Sequence, residues 1–111
     1  MVEIMQVINS IMEIDQFIKS HEMVLVYFSG KDCGVCHVMK PRVIDLLKKY
    51  PNIKKVEVEV ENATEVAAQY NVFTIPGILV FIEGKEAIRE LRHLSLLDLD
   101  NKISRYYQMF F

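Results

Sequence analysis

The chain has 111 residues, 51% of them apolar, and 13 Lys and Arg against 15 Asp and Glu give a net charge of −2. That is about one domain's worth of chain, enough for a packed core without a metal or disulfide staple, so a single domain over 1–111 is expected. The scattered charges form no basic stripe for nucleic acid, and no apolar run approaches the roughly 20 residues of a membrane helix. The N-terminus also lacks the positive region and cleavage site of a signal peptide. These features lead to the expectation of a cytoplasmic monomer with neither nucleic acid nor membrane as a partner. In a reducing compartment, a pair of cysteines points to catalysis or metal binding rather than to a structural disulfide.

Met5 to Asn9 is a short apolar run that reads as a first strand. Ser10 with Glu13 forms a capping-box pattern, and Ile14, Phe17 and Ile18 continue a helical stripe to about His21. Met23 to Phe28 is almost unbroken in its apolarity, the pattern of a strand buried on both faces, and Ser29-Gly30 ends it. Val38, Met39, Val43, Leu46, Leu47 and Tyr50 then recur at helical spacing until Pro51-Asn52.

Ile53 to Glu61 alternates Val56, Val58 and Val60 with Glu57, Glu59 and Glu61, predicting a strand with one apolar and one solvated face. Asn62 to Tyr70 reads as a short helix with Val66, Ala67 and Tyr70 inward. Ile78 to Ile82 is a further buried strand, and Glu83-Gly84-Lys85 a turn after which Glu86 to Arg92 returns antiparallel. Ser95 with Asp98 repeats the capping pattern before a last helix striped by Leu96, Leu99, Ile103, Tyr106, Tyr107 and Phe110. The order βαβαβαββα predicts an α/β fold, a mostly parallel sheet with helices on both faces.

The only two cysteines lie in Cys33-Gly34-Val35-Cys36-His37. The spelling admits covalent haem attachment, half of a zinc site, or a redox dithiol. Haem attachment needs export, which the N-terminus does not support, and needs His37 free as an axial ligand. Zinc lacks a second CxxC, and His21 and His93 do not supply the usual paired spacing. A dithiol suits the position, because Cys33 falls at the strand-to-helix junction, where unpaired N–H groups and the helix dipole favour a thiolate. Cys36, one turn further in, should stay a thiol longer. On this reading Cys33 attacks a substrate disulfide and Cys36 resolves the mixed disulfide. Lys31 and His37 favour negative charge on Cys33, Asp32 opposes it, and His37 has the plainer reading of a solvated helix residue. Pro41 should kink its helix by removing a ladder bond.

Val24-Leu25-Val26-Tyr27-Phe28, the Cys33–Cys36 motif, Pro41, Tyr70-Asn71-Val72, Ile75-Pro76, Leu79-Val80-Phe81 and Gly84-Lys85 together resemble the thioredoxin family over nearly the whole chain. The resemblance implies the thioredoxin fold: a central mixed sheet, mostly parallel with the last two strands antiparallel, and helices on both faces. It implies a thiol–disulfide oxidoreductase that reduces protein disulfides without a cofactor beyond its own disulfide and without a metal. An upstream reductase of the thioredoxin-reductase kind would regenerate it. It further implies a cis bond before Pro76, beside Cys33, in a groove where Ile75, Pro76 and Val35 meet the substrate backbone. A glutaredoxin-like reading shares the fold but lacks the glycine-rich glutathione site.

Several positions depart from the family pattern. Asp32 stands for the usual Trp, Gly34-Val35 for Gly-Pro, Gly77 for Thr after the proline, and Arg92-His93 for a glycine at the rim. Tyr27 occupies the place of the family's buried aspartate and Glu57 that of its lysine partner. Tyrosine is a poor base near neutrality, its ordinary pKa being about 10. The plainer expectation leaves Glu57 on the solvated face with Glu59 and Glu61, and the competing one brings it to Tyr27 as a replacement proton acceptor. These departures also sustain an alternative function, a thioredoxin-fold binding or redox-sensing module with little turnover.

Overall fold

Every residue of the central strand β2 (Met23–Ser29) is buried, because it runs between two other strands and under helices on both sides. The computed structural model describes residues 5–92 and 94–111. Before β2 come β1 (Gln6–Val7) and helix α1 (Ile11–Ser20); after it come α2 (Gly34–Leu47) and β3 (Lys54–Glu59). A single 3₁₀ turn over Val60–Asn62 and helix α3 (Thr64–Gln69) lead to β4 (Gly77–Ile82), β5 (Lys85–Leu91) and α4 (Leu96–Phe110). The sheet order is β1-β3-β2-β4-β5.

The sheet is mixed, as expected, but its pairings divide evenly. β3 is parallel to β1 and β2, while β4 runs antiparallel to both β2 and β5. The β4–β5 hairpin closes through Glu83 and Gly84 at φ 52° and 81°, the left-handed pair of a tight two-residue turn. Both predicted N-caps form. Ser10 Oγ accepts from the Glu13 amide and Ser95 Oγ from the Asp98 amide, satisfying one otherwise unpaired donor at each helix start.

Strand alternation splits the core into two layers. Val24, Val26, Phe28, Val56, Val58, Leu79 and Phe81 face α1 and α3, meeting Ile14, Ile18 and Val66. Leu25, Tyr27, Ile78, Val80 and Ile82 face α2 and α4, meeting Val43, Leu47, Leu99 and Ile103. Each such large apolar side chain contributes about 1.5–3 kcal/mol on burial.

The largest difference from the sequence reading lies in β3. The strand stops at Glu59 rather than Glu61, and its glutamates do not share a solvated face. Glu57 is only 5% exposed. β3 is an interior strand between β1 and β2, and α2 covers its second face, so alternation with valine does not place Glu57 in water. Helix α2 ends at Leu47, and Lys48 to Tyr50 continue as turns. It runs through Pro41 as one helix.

Candidate active site

β2 delivers the chain to Ser29 and Gly30, both buried, and a two-residue turn at Lys31 and Asp32 lifts it to the surface. Gly30 keeps this approach close: a Cβ would lie 2.6 Å from Ile75 Cδ1, so the end of that side chain would have to move. Cys33 is the N-cap of α2 in extended conformation, and its Sγ accepts the Cys36 amide at 3.1 Å. Cys33 and Cys36 are joined as a disulfide, with Cα atoms 5.2 Å apart. Cys33 is partly exposed, whereas Cys36 is only 1% exposed. The first-turn amide and helix dipole both favour negative charge on Cys33.

Around Cys33 opens a shallow cavity of about 340 Å³ lined by Gly30, Lys31, Asp32, Cys33, Glu61 and Ile75. Glu61 was not singled out by sequence; its Oε1 accepts the Lys31 amide at 3.1 Å and so steadies the turn before Cys33. The Ile75–Pro76 bond is cis. Pro76 is buried and Ile75 partly so, while Phe73 (77% exposed) and Val35 (61%) stand out as large apolar side chains around the loop and the first turn of α2. Gly77 pairs with Leu91 at the end of the hairpin, and a Cβ on it would meet Leu91 Cδ2 at 2.9 Å. Arg92 follows, exposed, with φ 70°. His93 lies outside the described residues.

His37 is exposed, and its Nε2 lies 2.9 Å from the Lys31 carbonyl. A carbonyl can only accept, so Nε2–H donates. The imidazole therefore braces the turn before Cys33. Asp32 is exposed beside it. Among the described residues, no group of three or more His, Cys, Asp or Glu side chains is arranged to hold a metal.

Beneath the disulfide, Tyr27 is fully buried and its hydroxyl donates to the Cys36 carbonyl at 2.7 Å. Burial, and after it the Glu57 carboxylate, push the Tyr27 phenol up to about 12. Its proton is therefore committed to the helix backbone. Glu57 is the register partner of Tyr27 on β3. Its Oε2 accepts the Ser29 hydroxyl at 2.6 Å, and its Oε1 lies 2.7 Å from Lys40 Nζ. The Lys40 contact is an ion pair without aligned hydrogen-bond geometry. Ser29 and Lys40 were missed by sequence reasoning. Lys40 follows Cys36 by one helical turn, a spacing that could have flagged it.

A surface cysteine bonded to a buried one at a helix N-terminus, on a mixed sheet with helices on both faces and beside a cis-proline loop, defines a thiol–disulfide oxidoreductase of the thioredoxin fold. The thioredoxin family model matches residues 6–104, and the chain belongs to the thioredoxin family. It is 36% identical to the thioredoxin-like protein YdfQ of Bacillus subtilis over 93% of this chain and 92% of that one. Among solved structures, the oxidised mitochondrial thioredoxin 3 of Saccharomyces cerevisiae superposes with a TM-score of 0.83 at 20% identity, covering 91% of this chain and 94% of that one. Fasciola hepatica thioredoxin does so with 0.82 at 27% identity, covering 91% and 98%.

Proposed function

We propose that this protein reduces disulfides in other proteins. The observation that carries the reading is the asymmetry of the pair: Cys33 at the surface on the helix N-terminus, Cys36 buried behind it. In the dithiol state the Cys33 thiolate attacks one sulfur of a substrate disulfide. The Cys33–substrate bond forms, the substrate S–S bond breaks, and the other sulfur leaves as a thiolate. The Cys36 thiolate then attacks Cys33, releasing the second substrate sulfur and closing the Cys33–Cys36 disulfide. Two electrons pass to the substrate, and an upstream dithiol reductase returns them.

Ile75, Pro76 and Val35 form the substrate-binding edge. Their support is position: Val35 is exposed on the first turn of α2, and Ile75, partly exposed beside the buried Pro76, lines the same cavity as Cys33. Extended substrate backbone would pair along this loop. No helix among the described residues is long and apolar enough to cross a membrane. A cytoplasmic, monomeric reductase accords with this reading, because a reducing compartment keeps the dithiol charged with electrons.

The test is a trap. Cys36→Ser should accumulate a mixed disulfide between Cys33 and a protein substrate, released by dithiothreitol. A Cys33→Ser, Cys36→Ser double variant that captures the same proteins as strongly, without any mixed disulfide in the Cys36→Ser chain, would instead support a binding or sensing module.

A further inference from the structure

Lys31 and Asp32 are the exposed middle of a turn that one backbone bond closes, from the Cys33 amide to the Gly30 carbonyl at 3.2 Å. Both main-chain polar groups of Lys31 are held by side chains. Glu61 Oε1, from the 3₁₀ turn after β3, accepts the Lys31 amide at 3.1 Å. His37 Nε2–H, from the first turns of α2, donates to the Lys31 carbonyl at 2.9 Å. Two elements that flank the turn thus grip the same residue from its two ends. What the turn delivers is Cys33. Its place as N-cap needs the chain to enter α2 extended, at φ −95° and ψ 98°, so that Sγ meets the Cys36 amide. A thiolate there gains from that amide and from the helix dipole only while Sγ stays at the helix end.

We propose that Glu61 and His37 form a two-sided clamp on Lys31 and are positioning residues for Cys33, holding the turn in the conformation that keeps its Sγ at the end of α2. This deepens the reading under Proposed function and rests on Cys33 being the attacking cysteine. Neither bond of the clamp uses a sulfur atom, so both persist when the disulfide is reduced and the thiolate is needed. The clamp acts by hydrogen bonding rather than by charge. As charges, Glu61 would oppose a thiolate at Cys33 and a protonated His37 would favour one, whereas as clamp members the two act in the same direction. Lys31 and Asp32 on the turn, Glu61 and His37 are the charged or titratable groups that line the cavity at Cys33 or grip its turn.

The experiment is alkylation of Cys33 by iodoacetamide in the fully reduced protein, followed by mass as pH is varied around and below the ordinary thiol value of about 8.5. The thiolate displaces iodide, so the pH midpoint of the rate is that of the Cys33 thiol. Four single variants are compared in two pairs. Glu61→Gln keeps an acceptor oxygen for the Lys31 amide and Glu61→Ala does not. His37→Gln keeps an Nε2 donor at similar reach and His37→Ala does not. Within each pair the charge is the same, so the difference isolates the hydrogen bond. At both positions the alanine midpoint should lie above the glutamine midpoint, by about a two- to tenfold change in the acidity constant, roughly what one such hydrogen bond is worth. An alanine midpoint at or below the glutamine midpoint at either position overturns the clamp. Both side chains are exposed, so all four variants should fold. Alkylation needs no substrate protein, so the clamp can fail while protein disulfides are still reduced, and the reverse.

Discussion

Tyr27 and Glu57 are register partners on adjacent parallel strands, and their side chains divide two tasks beneath the disulfide. Tyr27 ties its hydroxyl to the Cys36 carbonyl, fixing the first turn of α2 to the sheet. Glu57 carries the buried charge, answered by Ser29 on the same strand as Tyr27 and by Lys40 on the same helix as Cys36. Sheet and dithiol helix are thus joined by one neutral and one charged link.

Removing the neutral link has a cost with a pH signature. Tyr27→Phe takes the hydroxyl donor away from the Cys36 carbonyl and should destabilise the protein by about 0.5–1.5 kcal/mol at neutral pH. In the wild type the raised folded value means that the Tyr27 contribution is fully present below the unfolded value of about 10 and is lost as pH rises towards about 12. Denaturant titrations from pH 9 to 11.5 should therefore show the gap between wild type and Tyr27→Phe narrowing. A constant gap contradicts the assignment.

Gly30 sits where β2 meets the active-site turn, and any Cβ there collides with Ile75 Cδ1. The obstacle is the end of a flexible side chain, so Gly30→Ala should cost about 1 kcal/mol, the low end of overpacking. The displaced Ile75 should raise KM for a protein substrate several-fold while leaving the rate with a small aromatic disulfide nearly unchanged. Equal effects on both substrates would separate Ile75 from substrate binding.

Arg92 holds φ 70° at the end of the hairpin, a left-handed conformation that costs a side-chain-bearing residue about 1–2 kcal/mol. Arg92→Gly removes that strain and adds back part of it as unfolded-chain entropy. The net expectation is a gain of up to about 1 kcal/mol, read as a higher denaturant midpoint with an unchanged slope. A clear loss of stability would show that the Arg92 side chain itself contributes to the fold.

Asp100 on α4 contacts both Lys49 and Tyr50, which follow α2. The Lys49 hydrogen bond, then that of Tyr50, holds the Asp100 carboxyl below the ordinary carboxylate range. A depressed folded value means stability that is present above the unfolded value of about 3.9 and is lost as pH falls through the folded one. Asp100→Asn should therefore be less stable than the wild type at pH 6, with the difference shrinking below about pH 4. A difference that does not change with pH would exclude this contribution.

The layer order and the dithiol were legible because each rests on a local pattern. The unbroken run Met23 to Phe28 is what a strand covered on both faces needs, and a CxxC at its end falls on a helix start whatever the rest of the chain does. Glu57 was legible as a candidate partner of Tyr27, but its burial was not. Its alternation with Val56 and Val58 describes a half-solvated strand equally well, and only the crossing of α2 over an interior β3 decides that water is excluded. Lys40 and Ser29 were invisible for the same reason, since each gains its meaning from a partner on another element. His37 was visible as a residue but not in its direction, because a ring at the helix start can turn to solvent or to the Lys31 carbonyl, and only the turn geometry selects the second.

Whether Cys33 and Cys36 turn over protein disulfides is read from catalytic reduction of insulin with dithiothreitol as electron source. Many turnovers per molecule of protein are expected, none with Cys33→Ser, and a much slower rate with Cys36→Ser, whose mixed disulfide only dithiothreitol can release. Insulin reduction no faster than with dithiothreitol alone, from a protein whose Cys33–Cys36 disulfide is readily reduced, would contradict that expectation.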